Sequence, residues 1–242
     1  MIRVTVWNEY AHERSDEKVK EIYPNGIHGA IADFLKSDDI EVRCATLDDE
    51  ECGLTKEVLD NTDVLLWWGH MCHNKVAMRV RDAVLEGMGA IFLHSAHHSK
   101  PFRFLMGTSC NLGWREDGDL ERVWISKPSH PIVQGIDRYF EIPHEEMYGE
   151  PFVIPEPDET VFISWYEGGN VFRSGVTYHR GAGKIFYFQN GHEAYPNYYD
   201  KNVLQVIKNA VHWAYNPNKV VMDCWQQVVP AEKIEGYDPS KA

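Results

Sequence analysis

The apolar and polar positions divide this chain into two textures. Up to about residue 107, short apolar runs alternate with segments whose apolar residues recur every three or four positions. Residues 2–7 and 40–46 read as strands. Asp63-Val64-Leu65-Leu66-Trp67-Trp68 and Gly89-Ala90-Ile91-Phe92-Leu93 lack alternation, which predicts strands buried on both faces. Between them, residues 16–23 read as helix until Tyr23-Pro24-Asn25-Gly26 interrupts it. A helix from Ile27 to Lys36 carries Ile27, Ala30, Ile31, Phe34 and Leu35 on one face. Thr55 caps a short helix to Asp60, and Lys75 to Leu85 forms another, stopped by Glu86-Gly87-Met88-Gly89. This order predicts an α/β fold, a parallel sheet with right-handed crossovers and helices on both faces.

Beyond residue 107 the runs shorten to Arg122–Ile125, Pro131–Val133 and Tyr139–Ile142, then lengthen at 160–166, 170–178 and 183–189. Gly168-Gly169-Asn170 and Arg180-Gly181-Ala182-Gly183 separate the last three, and at least one pair is expected to be a hairpin. These strands would extend the sheet in the second half. A helix from Asn202 to Tyr215 ends at Asn216-Pro217. Residues 1–216 are therefore expected to be one domain. Residues 217–242 have no clean period and read as an extension laid on a neighbouring subunit or a loose tail.

The chemistry gathers where the buried runs stop. Gly89–Leu93 ends on His94-Ser95-Ala96-His97-His98, residues 63–68 end on Gly69-His70, and 183–188 end on Gln189-Asn190-Gly191-His192-Glu193. In open α/β sheets, ligands bind outside the carboxyl ends of the strands. Imidazole titrates near neutrality and is a common metal ligand. One histidine at one tip is ordinary loop chemistry, but three loaded tips point to a site.

Composition narrows the partners. The net charge of 24 − 37 = −13 repels phosphate backbones, so no nucleic acid is expected. No apolar run approaches the ~20 residues that span a bilayer, so no membrane is expected either. Five scattered cysteines without a CxxC and a first strand in place of a leader read as a cytoplasmic protein.

Three chemistries compete at the tips. Covalent catalysis at Ser95 is disfavoured, because a nucleophile elbow needs small residues two before and two after, and Leu93 and His97 stand there. A divalent metal such as zinc would take His70, His94 and His192, one from each tip, although no compact ligand motif is present. Metal-free acid–base work would use the imidazoles with a carboxylate from Glu145, Glu146, Glu150 or Glu193. The segment His144–Glu150 is either part of that site or a solvated acidic loop. No GxGxxG or Walker pattern is present, so no nucleotide cofactor is expected.

These residues resemble those of the trehalose utilisation (ThuA-like) family. The matching pieces are Val6-Trp7-Asn8-Glu9 with His12, Tyr23-Pro24-Asn25-Gly26-Ile27-His28, Trp67-Trp68-Gly69-His70, Leu93-His94-Ser95-Ala96-His97, Leu105-Met106-Gly107-Thr108, Glu145-Glu146-Met147-Tyr148-Gly149-Glu150, Phe172-Arg173-Ser174-Gly175, and Gly183–Phe188 with Gly191-His192-Glu193. The resemblance implies a flavodoxin-like sheet related to class I glutamine amidotransferases, without their elbow cysteine. It implies a role in sugar catabolism on a disaccharide or its keto derivative. The expected roles are His94, His97, Glu193 and Glu146 in catalysis, and His12, Glu9, Ser95, Tyr148, Glu150 and Tyr195 in holding a small-molecule sugar. A homo-oligomer is expected. The alternative is a non-catalytic sugar-binding or regulatory protein on a degenerate amidotransferase fold.

Overall fold

The computed structural model describes residues 1–219 and 229–238. The apolar runs of the first half become β1 (Ile2–Asn8), β2 (Ile40–Thr46), β3 (Val64–Trp68) and β4 (Gly89–Leu93). They pair in parallel with β9 (Gly183–Phe188) in the order β2-β1-β3-β4-β9. This is the flavodoxin-like arrangement, with the strand order reversing beside β1. Four antiparallel strands, β8 (Val171–Arg180), β7 (Glu159–Tyr166), β5 (Gly113–Ile125) and β6 (Tyr139–Gly149), continue the same sheet to nine strands.

Side chains alternate across the central strands, so each feeds two cores. Val64, Leu66 and Trp68 join Val4, Val6 and Ile91 on one face, under α3 (Gly26–Leu35) and α7 (Lys201–Ala214). Leu65 and Trp67 join Trp7, Phe92 and Tyr187 on the other, under α5 (Asn74–Leu85) and α6 (Lys100–Met106). Both layers are apolar, which is why β3 and β4 show no alternation in sequence. Shorter helices α1 (His12–Ser15), α2 (Glu17–Ile22) and α4 (Lys56–Asp60) complete the crossovers. No helix among the described residues is long and apolar enough to cross a membrane.

Several expectations need correction. Phe34 is 38% exposed and leaves the inner face of α3 to Ile27, Ile31, Ala32 and Leu35. Pro131–Val133 is a 3-10 turn, as a proline opening a three-residue run allows. The largest difference lies in β5 and β6. Residues 113–121 alternate too little to read as strand, and His144–Gly149 reads as a charge run, yet both are paired strand. Register shifts between Arg115 and Glu121 interrupt the ladder and let the pair bend. Half of residues 217–242, at 220–228 and 239–242, lies outside the described residues, and so does that part of the expected extension or loose tail. Residues 229–238 form neither helix nor strand, and Lys219 Nζ donates to Thr62 O at 2.6 Å.

Candidate functional site

The carboxyl ends of β1, β3, β4 and β9 open into a cavity of about 520 Å³. His12, His70, His94, Ser95, His97, Glu146, Tyr148, His192 and Glu193 line it, so nine of the residues expected from the sequence meet there. Asn111, Leu112, Trp114 and Glu116, from β5 and the segment before it, also line it and were not foreseen, as does His98, which the sequence placed at the β4 tip without a role. Nothing local in sequence marks those first four positions, because only the strand pairing brings them to the tips.

The strand end of β4 supplies the central imidazole. His94 takes a positive φ of +49°, a backbone state that a bulky residue adopts only when its surroundings compel it. The strained turn therefore falls one residue before Ser95. An imidazole occupies that position, so the chain has neither a hydroxyl nor a thiol nucleophile at the turn. Ser95 borders the cavity, but its buried Oγ has no hydrogen-bond partner among the described residues.

His94 is almost fully buried and bonded at both nitrogens. Its Nδ1 lies 2.8 Å from Gln189 O and its Nε2 3.0 Å from Glu146 Oε2. Burial opposes its charge, but the Glu146 carboxylate outweighs that and raises the imidazole to about 9. Burial likewise opposes ionisation of Glu146, and the hydrogen bond from His94 holds its pKa below the usual range. The two form a buried ion pair. The Tyr148 ring stacks on His94 at 5.0 Å, with its hydroxyl 3.4 Å from Nε2.

His97 is tuned the other way. Burial lowers it to about 4, and its Nδ1 is 2.8 Å from Cys110 O, so the ring is neutral with its proton directed at the backbone. A second acid–base pair joins His12 to Glu193, Nδ1 to Oε1 at 3.2 Å. A hydrogen bond with Glu9, against the cost of burial, raises the His12 pKa.

Three expected substrate residues are not on the cavity wall. Glu9 is buried and acts behind it. Its Oε2 accepts from the backbone N–H of His70 at 2.7 Å and Met71 at 2.9 Å. Gly69 at φ +103° makes room, since a Cβ there would stand 2.6 Å from that carboxylate. Glu150 is clamped by Arg173 through Oε1–Nε at 2.8 Å and Oε2–Nη2 at 2.9 Å, and also accepts from the Phe152 and Arg173 backbone. Tyr195 packs on the His192 ring at 5.6 Å, outside the cavity lining.

Two buried carboxylates support the site from below. Glu145 accepts from Gly191 N at 2.7 Å, His192 N at 3.0 Å, Glu146 N at 3.0 Å and Asn197 Nδ2 at 3.0 Å, tying β6 to the β9 tip. Glu121 bonds Tyr166 Oη at 3.1 Å and Asn190 Nδ2 at 2.5 Å. Burial, aided by the charge of Glu145, raises Glu121 to about 8, so it is mostly protonated at neutral pH.

The expected metal set does not assemble. Among the described residues, ligand atoms converge within 4.8 Å in two groups, His94-His192-Glu193 and Glu116-Glu146-His192. His70 is in neither; its ring meets His98 at 6.4 Å and its Nδ1 lies 4.0 Å from Glu9. The protons also fit poorly. His192 Nδ1 accepts from Ala194 N at 3.1 Å, so in the neutral ring the proton sits on Nε2. That Nε2 faces Glu193, Glu116 and Glu146 at 3.6, 3.7 and 3.9 Å, the surroundings of a donor. Zinc would need the lone pair of that nitrogen, with the proton moved against the Ala194 N–H. As placed, these residues form a proton network, and the His94-His192-Glu193 group could take a metal ion only with the His192 proton moved off Nε2.

The sheet and its helices are similar to solved structures at low identity. A ThuA-like protein from Parabacteroides merdae aligns with a TM-score of 0.61 at 13% identity, over 90% of this chain and 92% of that one. One from Bacteroides uniformis aligns at 0.64 and 14%, over 88% and 90%. A β-galactosidase from Bacillus circulans aligns at 0.58 and 15%, over 88% of this chain but 31% of its own length. These likenesses show the fold alone. No curated protein matches the sequence. The sequence model of the family described as trehalose utilisation, ThuA, matches residues 3–214, nearly the whole chain. This protein belongs to the trehalose utilisation (ThuA) family.

Proposed function

We propose that this protein is an enzyme acting on a disaccharide or its keto derivative, by proton transfer in the cavity at the carboxyl edge of the sheet. The reading rests chiefly on the buried His94–Glu146 ion pair beside a neutral His97. Environments that push like groups apart in pKa are how a site assigns acid and base roles. Glu146, kept ionised by His94, is the base that takes a proton from the sugar carbon next to the carbonyl of the keto derivative and holds it as the carboxylic acid until it is returned to the enediolate. The electron pair released from carbon moves onto the carbonyl oxygen. The cationic His94 and the raised His12 offset the charge that develops there. His97 Nε2 and Glu193 receive hydroxyl protons as hydrogen-bond acceptors. Glutaminase chemistry has no support, because the strained turn after β4 carries His94 and no thiol.

The test is turnover of trehalose and its keto derivative by the wild type, Glu146→Gln and His94→Ala, followed by chromatography of products. Loss of an acid–base group costs roughly 10²–10⁴-fold in rate. Both variants are expected to fall in that range while keeping native circular dichroism. Undiminished turnover in either variant refutes the acid–base roles of His94 and Glu146. Sugar binding by the wild type with no product after long incubation would make it a non-catalytic binding protein.

A further inference from the structure

The tip of β5 carries an indole that the acid–base chemistry does not use. Trp114 is 63% exposed and lies on the wall of the catalytic cavity. It is directly opposite Tyr148 in the antiparallel β5–β6 pair, and opposed residues share a face of the sheet. Tyr148 in turn stacks on His94. The indole therefore stands one strand away from the ion pair, on the same side. Glu116, also on the wall, brings its Oε1 within 3.7 Å of His192 Nε2.

We propose that Trp114 and Glu116 form the subsite for the second sugar ring, the one that does not undergo proton transfer. A pyranose presents a face of C–H groups and a rim of hydroxyls. The indole plane takes the first, as aromatic surfaces bury apolar area with little loss of conformational freedom. The Glu116 carboxylate accepts from the second. The subsite selects two-ring over one-ring sugars. The inference rests on the sugar reading above and goes beyond it by assigning the residues that determine length specificity.

The experiment reads binding, so its outcome is separable from that of the His94 and Glu146 turnover test. Wild type, Trp114→Ala and Trp114→Phe are titrated calorimetrically with trehalose, and with glucose as the one-ring control. Trehalose should bind about tenfold more weakly to Trp114→Ala, the size expected from losing one buried ring face, and near wild-type strength to Trp114→Phe. Glucose should be held equally by all three. An unchanged trehalose affinity in Trp114→Ala overturns the proposal, as does a matching loss for glucose. It also fails if the wild type holds the two sugars equally, or if Trp114→Ala lowers the molecular mass in solution, which would make the indole a subunit contact.

Discussion

Replacing Glu121 by glutamine should make the protein more stable as pH rises, relative to the wild type. Glu121 is fully buried, and no lysine or arginine is among its hydrogen-bond partners Tyr166 and Asn190. Its pKa moves from 4.5 to about 8 in the folded chain, through burial first and the Glu145 charge second. A raised folded-state pKa means that the folded chain binds more protons than the unfolded chain between those values. The associated stability is fully present below pH 4.5 and is lost as pH rises through 8. Each pH unit in that window is worth about 1.4 kcal/mol, so the wild type loses roughly 4 kcal/mol between about pH 5 and 8 from this group. Glutamine does not titrate and escapes that loss. Urea unfolding of both proteins at about pH 5, 6, 7 and 8, followed by tryptophan fluorescence, isolates the effect as a difference of differences. The gap should widen toward about pH 8 in favour of Glu121→Gln by about 1.4 kcal/mol per unit. A constant gap would mean that Glu121 ionises in the fold as freely as in the unfolded chain, and the linkage would be absent.

Two further outcomes separate structural from functional carboxylates and protons from metal. Glu150→Ala should cost about 2 kcal/mol, since it strips a half-buried arginine of a bidentate partner and frees two backbone N–H groups, while leaving KM for sugar unchanged. A raised KM at unchanged Tm would restore Glu150 to the sugar site. Elemental analysis of protein purified without chelator or polyhistidine tag should find far less than one equivalent of zinc. A full equivalent that leaves with His192→Ala would show that His192 Nε2 is a ligand after all.

The parallel half of the fold was readable because its causes are local. β3 and β4 are uniformly apolar, and each stops on a polar tip, so the carboxyl edge and the imidazoles at 70, 94 and 192 follow from pattern alone. The antiparallel half depends on partners far away in the chain. Glu145 and Glu146 look like a solvated charge run until Gly191, His192 and His94 arrive to satisfy them. Trp114 and Glu116 sit in a stretch without alternation, and only pairing with β6 makes it a cavity wall. Glu150 stands four residues from Glu146 in a similar acidic context, yet Arg173, 23 positions on, draws it away. That the positive φ falls on His94 was not readable, because sequence does not report backbone strain.

The proposed chemistry depends on an imidazolium kept charged in a buried cavity chiefly by the Glu146 carboxylate. Nitrogen-15 chemical shifts of the His94 ring, recorded against pH in the wild type and in Glu146→Gln, measure that directly. The wild-type ring should titrate near pH 9, and in the variant it should fall to the ordinary histidine range or below, since burial then acts with far less opposition. A wild-type midpoint at or below about 6.5, or one that Glu146→Gln does not move, would contradict it.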